Sequence, residues 1–223
     1  MTMHVSEAVL KRTSVRAFKP ETPSAAMVQD ILERAARAPS GGNLQPWRVV
    51  ALAGERLAAL KKVIAEEPPQ PKPGYTIYPP ELWDPYRTRR FQNGEDLYAT
   101  LGLAREDKAG RLQQMAKNAE FFGAPVGIFV CIDRRLGPPQ WSDLGMYMQT
   151  VMLLAVERGL DTCAQEFWAV RSEPVERFLK LPPEFMVFSG IAMGWRDADA
   201  PINRLQTRRD PFAVWAEMSG FES

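Results

Sequence analysis

Apolar residues recur along the chain at helical and strand-like spacings, and the change from one to the other predicts where elements begin and end. Residues 6–11 read as the end of a short first helix. Val28, Ile31, Leu32 and Ala35 then form a stripe at helical spacing, with Thr22 or Ser24 placed to cap that helix and Ala38-Pro39 to end it. Residues 47–53 are a β-branched apolar run closed by Gly54, which predicts a buried strand, and residues 55–67 predict an exposed helix. Helical spacing with many charges returns over residues 85–101 and 105–122. Residues 125–132 are instead almost continuously apolar, as in a strand covered on both faces. Residues 144–156 are apolar on most faces of a helix, which predicts an element passing through the core and a candidate for a dimer-core helix; Ser142 or Asp143 is placed to cap it and Gly159 to stop it. Residues 164–167, after 159–163, read as a helix-to-loop passage. Residues 185–195 predict a last buried strand, with Gly190 and Gly194 as points of close approach.

Six prolines fall between Pro68 and Pro80, which rules out a regular element there and predicts an ordered surface excursion over about residues 68–84. That stretch is the one linker candidate, and the chain that follows returns to the same sheet. With 223 residues, 45% hydrophobic and 25% charged, the expectation is one domain over residues 1–223 with a sizeable core. A net charge of +1 lacks the cationic field of a dedicated nucleic-acid binder. Residues 1–10 contain no long apolar run, and residues 144–156 are too few to span a bilayer and include Gln149, so a soluble cytoplasmic protein with no membrane partner is expected. Cys131 and Cys163 show no metal or redox spacing and read as small buried hydrophobes; no metal site is expected. His4 is the only histidine, which argues against Ser-His-Asp and Cys-His hydrolases. Neither GxGxxG nor GxxxxGK[ST] occurs, which argues against a Rossmann dinucleotide site and a P-loop.

Candidate chemistry starts at residues 12–16. In an extended chain Arg12, Ser14 and Arg16 point the same way, making two cations around a hydroxyl. Such a fork suits a phosphate dianion, because each guanidinium gives charge-assisted, bidentate hydrogen bonds. After one helix, Pro39, Ser40, Gly41, Gly42, Asn43, Leu44, Gln45, Pro46 and Trp47 supply small residues and carboxamides able to approach a planar ligand closely. Near the end, residues 203–211 carry Arg208 and Arg209. In the middle, Arg87 and Arg90 share a helical face at i, i+3.

In their order and spacing these segments resemble the flavin-binding signature of the nitroreductase family. Leu101-Gly102 to Arg105-Glu106-Asp107, continuing to Phe121-Phe122-Gly123-Ala124-Pro125, resemble its branch that reduces nitrobenzene and nitrobenzoate type compounds. The resemblance covers nearly the whole chain, least of all the proline-rich stretch. It implies an α+β three-layer sandwich with a central mixed β-sheet flanked by helices, and an intertwined homodimer with two FMN sites at its interface. Arg12, Thr13, Ser14 and Arg16 would hold the FMN phosphate with Arg209 or its neighbour Arg208. Pro39, Ser40, Gly41, Asn43 and Gln45 would come from the opposite subunit. Gln165 and Glu166 would present backbone N–H groups to the flavin N5, although Gln-Glu-Phe stands here where many relatives have Glu followed by Gly. Glu166 as a general acid is the competing reading. Arg87 or Arg90 would sit near N1 and O2, where a cation stabilises the reduced ring. Residues 200–223, with Phe212, Trp215 and Phe221, would dock on the partner, and residues 75–91 would choose the substrate. The implied reaction is ping-pong: NADH or NADPH reduces the flavin, leaves, and a nitroaromatic or quinone takes its place. The same fold also serves enone reduction, dehalogenation and flavin destruction, and a non-catalytic flavin-binding protein is the alternative outside enzymology.

Overall fold

The structure, a computed structural model, describes residues 3–221. Met1, Thr2, Glu222 and Ser223, on which the readings of the chain start and of the tail partly fall, lie outside the described residues. At its centre β1 (Arg48–Ala53), β2 (Val126–Asp133), β3 (Asp161–Gln165) and β4 (Phe185–Gly194) form a sheet in the order β1-β2-β4-β3. The ladders between these strands are antiparallel. The parallel component of the sheet is a single bridge, Ser14 to Thr162, along β3.

The apolar run at β2 behaves as its composition demands, buried from Val126 to Ile132. Side chains alternate across the sheet. Val126, Ile128, Val130 and Ile132 therefore pack with α2 (Ala25–Ala35) and α6 (Pro138–Glu157), while Phe129 and Cys131 pack with α3 (Gly54–Glu66) and α7 (Ser172–Leu179). Each fully buried aliphatic side chain contributes roughly 1.5–3 kcal/mol, so the two clusters hold the layers to the sheet. β4 skips a residue: Val130 pairs with Ser189 but Cys131 pairs with Val187, leaving Phe188 in a bulge. Tyr75, from the proline-rich stretch, donates its hydroxyl to the Phe188 carbonyl at 2.6 Å and stacks on the Phe188 ring at 5.7 Å. The bulge thus anchors the excursion. Further back Gly74 N–H donates to Ala169 at 2.7 Å, and the Gln70 carboxamide donates to Ser172 Oγ at 3.1 Å and accepts from Glu173 N–H at 2.9 Å.

Three local expectations are corrected. Neither Ser142 nor Asp143 caps α6, which starts four or five residues earlier at Pro138; proline is favoured in a first turn, where its missing N–H would have had no partner, and the Gly137 N–H is met by Gln140 Oε1 at 3.3 Å. Ala164 and Gln165 end strand β3 rather than belonging to a helix-to-loop passage, because the mixed Asp-Thr-Cys-Ala-Gln sequence is paired on one side by β4 and on the other by Ser14. The helix expected over 105–122 is shorter, α5 (Lys108–Ala116), followed by a 3-10 turn over Lys117–Gly123 in which Phe121 and Phe122 take φ of 52° and 54°. Ser24 caps α2 through Met27 N–H at 3.2 Å. α1 (Val5–Lys11) packs on α6; α4 (Tyr86–Thr100) follows the excursion, and α8 (Phe212–Trp215) lies in the tail. Among the described residues no helix is long and apolar enough to cross a membrane.

Candidate functional site

Residues 12–16 run extended along the β3 edge, where Val15 N–H donates to the Thr162 carbonyl at 3.0 Å and the Val15 side chain is buried. Period two then turns Arg12, Ser14 and Arg16 the other way, into a cleft of about 750 Å³. Three segments meet there: residues 12–16, one face of α4 (Arg89, Arg90, Gln92, Asn93, Asp96) and the tail (Leu205, Thr207, Arg208, Arg209, Asp210, Trp215). Six arginines face two aspartates. Arg89 pairs with Asp210, and Arg208 with Asp96 at 3.1 Å. Among the described residues Arg12, Arg16, Arg90 and Arg209 have no carboxylate partner. A surplus of unpaired guanidinium groups in one cleft repels itself unless an anion is present, and guanidinium donors suit the charge and acceptor oxygens of a phosphate.

The fork is held from behind. Arg196 makes a two-point ion pair with Asp161, at 2.7 and 2.9 Å, and donates to Thr13 Oγ1 at 2.9 Å. Cys163 lies beneath the fork, its thiol pushed up by burial against the opposing pull of Arg16 and Arg12, so it stays a neutral packing group. At the α4 side Arg90 lies over the Tyr78 ring at 4.6 Å. Burial and the neighbouring Glu166 raise the Tyr78 hydroxyl, while Arg90 works against them. Glu166 also adds to the shift of Tyr75, pushed up to about 12 chiefly by burial.

The remaining candidate residues lie elsewhere. Arg87 is paired with Asp84 and does not line the cleft. Gln165 is committed to the fold: its side chain donates to Asn118 O and Oδ1 at 2.9 and 3.1 Å and accepts from Trp168 Nε1 at 3.3 Å, leaving only its backbone for a ligand. Pro39, Ser40, Gly41, Asn43 and Gln45 form a separate surface loop that does not line the cleft. Asn43 and Gln45 adopt left-handed φ of 56° and 48° beside Gly42 at 57°, a costly run for two residues that carry side chains. Gln45 N–H donates to Ser40 Oγ at 3.0 Å, and Asp143, only 4% exposed, accepts from Gly41 N–H at 3.3 Å through both oxygens. Asp143, Arg89, Asn93 and Arg196 carry no local signal of a site; only the tertiary contacts bring them in.

Residues 9–195 match the model of the Nitroreductase family. The chain belongs to that family. It is 35% identical over 205 residues to the nitrobenzene nitroreductase of Ectopseudomonas oleovorans, covering 90% of each chain. It is 34% identical over 224 residues to the 4-nitrobenzoate reductase of Pseudomonas putida, covering 100% of this chain and 98% of that one. The crystal structure of the FMN and NADPH-dependent nitroreductase NfnB from Sphigopyxis sp. strain HMH has a TM-score of 0.94 and 46% identity, over 98% of this chain and 100% of that one. The nitroreductase fold, with its sheet between helical layers, is therefore that of the present chain.

Proposed function

We propose that this chain is an FMN-dependent oxidoreductase that draws electrons from NADPH or NADH and reduces nitroaromatic compounds, with quinones as further acceptors. The observation that carries the reading is the cleft of unpaired arginines around Ser14, whose donor set fits the phosphate of FMN. Arg12, Ser14 and Arg16 hold that phosphate, and Arg209 supplies a further cation from the tail. When bound, FMN supplies hydride chemistry at its ring N5. Arg90 lines the same cleft and covers Tyr78, which adjoins Glu166, so a path of contacts leads from the fork to the backbone of Gln165 and Glu166. Donor and acceptor use one open face in turn, which is ping-pong exchange.

The active form in this reading is a homodimer. Support comes from apolar surface that a lone chain leaves in water: Leu10 on α1 is 83% exposed, and in the tail Trp215 and Phe221 are 66% and 73% exposed. Loop residues Pro39, Ser40, Gly41, Asn43 and Gln45, which lie away from their own chain's cleft with Asn43 and Gln45 in left-handed geometry, then face the partner's flavin. Incubation with NADPH and 4-nitrobenzoate, with the product identified by mass, tests the assignment. The expected product is the nitroso or hydroxylamino compound, formed only with FMN present; NADPH oxidation without any change in the nitro compound counts against it.

A further inference from the structure

We propose that Asn203 is a positioning residue for the phosphate cradle: its side chain locks the backbone of the cationic fork to the chain that delivers Arg208 and Arg209, and so sets the preference for a phosphorylated flavin over an unphosphorylated one. The proposal rests on the reading of the fork as the FMN phosphate site.

Asn203 lies in the 3-10 turn Pro201–Arg204, 187 residues from Arg16 in sequence. Its Oδ1 accepts from Arg16 N–H at 2.8 Å, and its Nδ2 donates to the Ala17 and Asp197 carbonyls, each at 2.8 Å. Both N–H groups and the carbonyl of one carboxamide are thereby used, all on backbone. No other group among the described residues accepts from Arg16 N–H. The Arg16 guanidinium donates only to the Ser14 carbonyl at 3.3 Å and lies over the Phe122 ring at 5.9 Å, so with no carboxylate to hold it its aim depends on the backbone that carries it. The fork is fixed to the sheet at Val15 and to Arg196 at Thr13. Asn203 supplies the third point, at the arginine itself. Arg208 and Arg209 follow in the same segment, whose far end is held to α4 by Arg208–Asp96 and Arg89–Asp210, so Asn203 fixes the end of it that meets the fork. Aspartate cannot replace it: a carboxylate has no donors for two carbonyls and brings a negative charge to the fork.

The test compares FMN with riboflavin, which has the same ring system and no phosphate, in protein freed of bound flavin. Asn203→Ala is expected to weaken FMN binding by about 10- to 100-fold, the range for a lost charge-assisted contact, while riboflavin affinity stays within about two-fold, well under the effect of one ordinary hydrogen bond. Asn203→Ser, which keeps one donor and one acceptor, is expected to fall between. Parallel loss of both flavins, or a wild-type preference for FMN that survives in Asn203→Ala, overturns the inference alone. Equal wild-type affinities for FMN and riboflavin remove the phosphate reading and this inference with it. Should neither variant fold, amide exchange in the wild-type protein decides: Arg16 N–H is expected to slow on addition of FMN and not of riboflavin, and an unchanged rate overturns the proposal.

Discussion

Gly190 gives a sharp test of how the core carries the segment proposed to face the flavin. It sits on β4 opposite Gln165, and a Cβ built there would lie 2.3 Å from Trp168 Cδ1 and 2.5 Å from Trp168 Nε1. An ordinary contact needs about 3.5–4.0 Å, so Gly190→Ala forces the indole aside by more than an ångström or bends β4. The indole has no room to yield: it is 0% exposed, lies 4.7 Å from the Phe121 ring and 5.0 Å from that of Phe129, and its Nε1 donates to Gln165 Oε1. Overpacking of this kind costs about 1–3 kcal/mol, and the absence of a flexible neighbour puts this site at the upper end. For a chain of this length each kcal/mol moves Tm by about 2–4 °C, so a drop of roughly 6–12 °C is expected in a melt followed by circular dichroism. Gly94 is the internal control, because it lies inside α4 with nothing within 4 Å of its missing Cβ, and Gly94→Ala is expected to raise Tm through a helix-propensity gain of about 0.5–1 kcal/mol. A Gly190→Ala protein melting within about 2 °C of wild type, less than the shift one kcal/mol produces, would refute the packing argument.

Arg16→Ala removes a guanidinium with no carboxylate partner, so its Tm should hardly move while FMN affinity falls about 10- to 100-fold; a fluorescence titration with unchanged FMN affinity counts against the fork. Tyr75 and Tyr147, both pushed up to about 12 by burial, keep their protons in the folded protein after unfolded tyrosines ionise near 10, so stability is full below pH 10 and declines as pH rises from there toward about 12. Tyr75→Phe should lower stability at pH 7 by removing the bond to Phe188 and flatten that alkaline decline; absorbance of phenolate at 295 nm, appearing near pH 10 from every tyrosine, would contradict the assignment. Asn43→Ala, confined to one chain of a mixed dimer, should impair the flavin held by the other chain's arginines; loss only at the mutated chain's own fork would refute the crossed arrangement.

Much of the frame is legible in the sequence because its rules are local. Alternation in residues 12–16 aims Arg12, Ser14 and Arg16 together, the continuous apolar run gives β2, and the Ser24 cap and the stop at Gly159 follow from their neighbours alone. What is hidden is whatever depends on distant chain. β3 is a strand only because β4 and Ser14 pair with its unremarkable sequence. Of two arginines on one helical turn, Arg90 meets the cleft and Arg87 turns to Asp84, a choice set by where α4 lies. Asn203 and Arg196 support a fork more than 180 residues earlier, so no window along the chain reveals those contacts, although Asn203 opens a segment the sequence does single out. The ordering of a segment with six prolines likewise depends on the bulge at Phe188, which only strand pairing creates.

In the proposed function the arginine cleft holds FMN and a nicotinamide donor reduces it. The direct measurement is a visible absorption spectrum of the purified protein, taken before and after anaerobic addition of NADPH and then of nitrobenzene, with the released chromophore identified by mass. Expected are the bands of oxidised FMN, bleaching by NADPH, and their return with the nitro compound. A protein that carries no flavin and takes none up on reconstitution, or whose bound FMN stays oxidised with both NADPH and NADH, would contradict it.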